Sequence, residues 1–62
     1  MTRMNRADIR EMCMGGESAT DCLRAVVHSG VEYPDAVWLV TDALRMKPDE
    51  VDAMEIDYLE QV

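Results

Sequence analysis

No stretch of this 62-residue chain approaches the ~20 consecutive apolar residues of a membrane span, which argues against a bilayer helix. The opening residues, MTRMNRADIREMCMGG, contain arginines but no apolar signal-type run, so a cytoplasmic location is expected. Only two cysteines occur, Cys13 and Cys22. In a reducing compartment, thiols on the apolar faces of helices act as small core residues, and a disulfide across the intervening turn is disfavoured. With His28 they form C-x8-C-x5-H, which lacks both the short paired spacing and the fourth ligand of a structural zinc site. Neither a metal nor another cofactor is expected. Glycine is equally scarce. Gly15-Gly16 and Gly30 suit helix ends, and nothing resembles a glycine-rich phosphate loop. The single histidine lies near no nucleophile motif, and the acids are not paired on an evident cleft. The chain is not expected to be an enzyme.

Bases are missing where acids are densest. From Asp49 to Val62 there are six carboxylates and no lysine or arginine, and the whole chain carries a net charge of −7. Nucleic-acid affinity rests on lysine and arginine neutralising phosphates, so direct nucleic-acid binding is not expected. The imbalance is uneven. In residues 1–14, Arg3, Arg6 and Arg10 outweigh Asp8 and Glu11 by one charge. One end of the chain is mildly basic and the other strongly acidic.

What remains is apolar enough to fold. Hydrophobic residues make up 48% of the sequence, above the range of disordered chains, and the length allows one domain over residues 1–62. A chain this short buries only roughly 60% of its unfolded surface, so its core is marginal. Asn5 and Asp8 predict the start of a first helix, with Ile9, Met12 and Cys13 as its apolar stripe and the three arginines on another face. Gly15-Gly16 ends it. Ser18, with Asp21 as a weak capping-box partner, opens a second helix that buries Ala19, Cys22, Leu23, Val26 and Val27 and stops at Gly30.

Tyr33-Pro34-Asp35 starts a third helix, with proline expected at its first position. Ala36, Val37, Leu39, Val40, Ala43, Leu44 and Met46 cover about half its circumference, which marks the central helix. Lys47-Pro48-Asp49 opens a fourth helix in the same way. Its apolar seam is assigned to Val51, Met54, Tyr58, Leu59 and Val62. Of the six methionines, Met12, Met46 and Met54 read as core, and Met4 and Met14 as adaptable surface. The expected fold is all-α: a small compact bundle of three to four short helices, the last two in a helix-turn-helix-like arrangement.

The stretch from Ala36 to Tyr58 resembles a helix-turn-helix in outline, with Leu44, Met46, Val51 and Met54 at its apolar positions. The pattern departs at Arg45, where glycine is usual, and at Thr41, where a small alanine is usual. The helix that would read DNA presents Pro48, Asp49, Asp52 and Ala53, whereas base readout needs arginine, lysine, asparagine or glutamine. The resemblance therefore implies a shape and not an activity.

Two apolar residues fall outside the predicted core. Ile56 lies opposite the seam of the fourth helix, among Asp49, Asp52 and Glu60, as an apolar anchor within a polar rim would. It is also placed to pack on the first helix or on a second chain. Trp38 falls near Thr41, Asp42 and Arg45 on the polar side of the third helix. Tryptophan is frequent at interface hot spots, but a lone tryptophan in so small a domain is expected to pack within the molecule.

These features predict a small acidic module that binds a basic, nucleic-acid-binding protein, acting as its inhibitor or adaptor. Its partner-binding residues are Asp49, Asp52, Glu55, Ile56, Glu60 and Trp38, and mimicry of a DNA backbone is the sharpest form of the reading. One alternative is a homodimer that pairs the first helix's arginines with a second chain's acidic helix. Another is a degenerate helix-turn-helix regulator touching DNA through Arg3, Arg6 and Arg10. Small size, few motifs and acidity are also common among phage and plasmid accessory proteins, an association without a mechanism.

Overall fold

The computed structural model describes residues 3–61. It contains four helices: α1 (Arg6–Met14), α2 (Ala19–His28), α3 (Tyr33–Leu44) and α4 (Pro48–Gln61). No strand occurs among the described residues, and no helix there is long and apolar enough to cross a membrane. The all-α bundle expected from the sequence is the observed architecture.

The helix starts follow local chemistry. The Asp8 N–H donates to Asn5 Oδ1 (3.0 Å), and the Asn5 N–H donates back to Asp8 Oδ2 (3.1 Å), which completes a capping box. At α2 only half of that exchange forms: the Asp21 N–H donates to Ser18 Oγ, while the Asp21 carboxylate lies 3.9 Å from Arg24. Helix α3 begins one residue before Pro34, after an extended Glu32 that supplies no side-chain cap. At α4 the Lys47 N–H donates to Glu50 Oε1.

Three helix ends share one closure. A residue with positive φ donates its N–H three residues back, and the next N–H reaches five residues back. Gly16 (φ 96°) and Glu17 do this to the carbonyls of Cys13 and Met12, and Gly30 (φ 108°) and Val31 to those of Val27 and Val26. At the third end the same place is held by Arg45, with φ 51°, its N–H directed to Asp42 and that of Met46 to Thr41. A side chain in this left-handed region costs about 1 kcal/mol relative to glycine. Arg45→Gly should therefore raise the thermal midpoint by about 4–8 °C. A lowered midpoint would show that the Arg45 side chain stabilises the fold.

The core consists of Ile9, Cys22, Leu23, Val26, Ala36, Val40, Ala43 and Met54. Helix α3 is central and packs against the other three, while α2 touches all of them too. By contrast, α1 and α4 have no Cα atoms within 8 Å of each other. The arginine-bearing and acid-bearing helices thus flank the α2–α3 pair on separate sides. Ile56 does not pack on α1, which corrects one placement considered for it. Met4 also differs from expectation. It packs against the core, and its N–H donates to Ser29 Oγ, instead of lying on an adaptable surface. Cys13 is exposed although Cys22 is buried, so only one thiol is a core residue. Burial pushes the Cys22 thiol above its ordinary pKa, with Cys13, Glu17 and Asp21 adding to the effect.

Candidate interaction surface on α3 and α4

Helix α4 is held by few side chains. Met54 is its only buried residue, and Val51 and Tyr58 are half-buried beside it. The Tyr58 ring lies 5.2 Å from that of Tyr33, centroid to centroid, tilted by 33°. This pair ties the end of α4 to the start of α3, while Val51, in the first turn of α4, shares a groove with Val37 and Thr41 further along α3. The two helices therefore run in opposite directions, with their carboxylate-bearing sides directed outward.

Residues three and four apart share a helix face. Asp49, Asp52, Ile56 and Glu60 follow that spacing on the outward side of α4, and all four are exposed, Ile56 by 59%. Leu59 is 64% exposed, so it does not belong to the apolar seam assigned from the sequence. At 100° per residue it stands about 80° from Val51, on the side of Asp52 and Ile56. The signal was present on the helical wheel. Val62 lies outside the described residues.

Trp38 is 75% exposed. The expectation that it packs within the molecule is incorrect: the α3 face it occupies is covered by neither α1 nor α4. It forms a ridge between two shallow grooves. On one side are Arg6, Asp35, Leu39 and Asp42, where Arg6 Nε lies 2.8 Å from Asp42 Oδ2. On the other side Val37, Trp38 and Thr41 of α3 face Val51 and Glu55 of α4. Of the six expected partner-binding residues, Trp38 and Glu55 thus line one groove. Asp52 and Ile56 continue from Glu55 around α4, and Asp49 and Glu60 extend the same face along the helix.

Sequence reasoning missed the polar content of this seam. The hydroxyls of Tyr33 and Thr41 are enclosed and have no hydrogen-bond partner among the described residues. Burial, with lesser contributions from Glu55 and Tyr58, holds the Tyr33 hydroxyl above its ordinary pKa. Glu55 is half-buried and has no ion-pair partner among the described residues, whose two ion pairs are Arg6–Asp42 and Arg24–Asp21.

The arginines of α1 are directed elsewhere. Arg6 pairs with Asp42, and Arg10 Nε donates to the Ala43 carbonyl at 3.5 Å, near the C-terminal end of α3 where a cation complements the dipole. Arg3 is exposed. Among the described residues no group of three or more histidine, cysteine or acidic side chains is arranged to hold a metal ion.

Comparison with models of protein families finds no match, and comparisons with curated proteins and with solved structures find none either.

Proposed function

We propose that this chain is a protein-interaction module that binds a basic partner through the outer face of α4 and the adjoining Trp38, thereby inhibiting or adapting that partner. The observation that carries this reading is the association of three exposed large apolar residues with uncompensated carboxylates. Trp38, Ile56 and Leu59 lie on or beside a surface that also presents Asp49, Asp52, Glu55 and Glu60. Apolar anchors supply binding energy, and the surrounding charge steers a cationic partner toward them and rejects anionic ones. A nucleic-acid-binding protein is the partner class that offers such a cationic surface, and the carboxylates would occupy the place of phosphates.

The alternatives have less support. A dimer joined through the α4 faces would bring two like-charged surfaces together. A dimer or a DNA contact using the α1 arginines would have to draw Arg6 and Arg10 from partners they already have in the chain.

The test is capture from a nucleic-acid-free cell extract on the immobilised chain and on an Asp52→Lys/Glu55→Lys variant that retains its helical circular dichroism. A basic protein should be held by the original chain, elute as salt rises, and bind the variant about 10- to 100-fold more weakly. Retention unaffected by either salt or charge reversal would refute the steering mechanism.

A further inference from the structure

The α3–α4 groove combines features that suit one particular side chain. Trp38 forms one wall and exposes three-quarters of its surface, so an indole face is available for stacking. Glu55 forms the opposite wall as a half-buried carboxylate with no ion-pair partner among the described residues. Val37 and Val51 give the groove an apolar lining. Thr41 also lines it, with its hydroxyl oxygen enclosed beneath the surface. The chain therefore provides a π face, a negative charge and an apolar lining in one place.

We propose that this groove seats one arginine side chain of the basic partner, with its guanidinium against the Trp38 indole and paired to Glu55. The proposal rests on the reading that the partner is basic and specifies how one of its residues is recognised. Arginine fits better than lysine for a physical reason. A planar guanidinium stacks on an aromatic ring while its edge donates to a carboxylate, and it is more weakly hydrated than an ammonium. Its methylenes would lie along Val37 and Val51. An ammonium offers a compact charge, which the exposed acids of α4 attract equally well anywhere on their face.

Trp38 is the only tryptophan, so its fluorescence reports binding at the ridge it forms, and the Glu55 substitution distinguishes the α3–α4 groove from the groove on the other side. Hexa-arginine and hexa-lysine peptides, titrated at equal low ionic strength, serve as probes. Hexa-arginine should bind about 5- to 10-fold more tightly and saturate the Trp38 signal. Glu55→Gln should abolish that preference. Asp57→Asn removes the same charge from an exposed α4 position outside the groove and should preserve it. Equal affinity for the two peptides, with both substitutions weakening binding alike, would overturn the arginine site and leave the acidic-face reading standing. Failure of both peptides to bind at low salt would overturn both readings. The wild-type comparison of the two peptides decides the matter even if Glu55→Gln does not fold.

Discussion

Leu23→Ala should remove about 3 kcal/mol of stability, the largest effect expected of any conservative substitution in this chain. Leu23 is completely buried and belongs to α2, the helix that together with α3 holds α1 and α4 in place. Truncating it removes buried apolar contacts and leaves a cavity that the surrounding core fills only in part. Among the described residues only four fully buried side chains are as large as valine or larger: Ile9, Leu23, Val26 and Val40. Domains of this size have total stabilities on the order of 3–9 kcal/mol, so the loss is a large fraction of the whole. The thermal midpoint followed by circular dichroism should fall by about 12–24 °C. Ile56→Ala, at an exposed position, should stay within about 0.5 kcal/mol of the original chain. Similar losses for the two variants would mean that the core is not where the packing places it.

The second large effect concerns binding and should leave folding unchanged. Trp38→Ala is expected to weaken the captured partner's affinity by about 30-fold, corresponding to the ~2 kcal/mol of an interface hot spot. Because Trp38 exposes 75% of its surface, its loss should shift the thermal midpoint by only a few degrees. Core residues behave in the opposite way: they lower stability first and affinity only through unfolding. A large fall in stability without a fall in affinity for Trp38→Ala would return this residue to the structural role first assigned to it. Ile56→Asp should act in the same direction as Trp38→Ala, since it replaces an apolar anchor with a further charge.

Much of the fold was legible because the chain is clearly punctuated. Asn5, Ser18, Pro34 and Pro48 mark helix starts, and Gly16 and Gly30 occupy left-handed positions at helix ends. These are local effects, set by residues within one turn of each other. The width of the apolar arc on α3 likewise identified one of the two helices that contact all the others. What the pattern could not convey was adjacency. Nothing in the spacing of Arg6 or Ile56 says that α1 and α4 lie apart, because that depends on how the helices cross. The same limit explains Trp38, whose exposure depends on where neighbouring helices stop. Cys13 and Leu59 failed for another reason. Each lies at the edge of its apolar arc, and a thin helix pair covers less of that arc than a larger domain would.

The candidate surface was partly legible in the same way. The carboxylates of α4 and the outward placement of Ile56 follow from composition and the helical wheel alone. The groove between Trp38 and Glu55 does not, because it is made by two helices meeting in opposite directions. The enclosed hydroxyls of Thr41 in this groove and of Tyr33 elsewhere along the α3–α4 seam are visible only in the packed structure.

The most direct test of the account is the association rate of the captured partner with the original chain, measured between 50 and 300 mM salt. Steering by an exposed acidic face requires the rate to fall by about 10-fold or more over that range, with Asp52→Lys/Glu55→Lys flattening the dependence. A rate that stays constant with salt in the original chain would contradict it, and would leave the carboxylates as a solvated surface with no part in recognition.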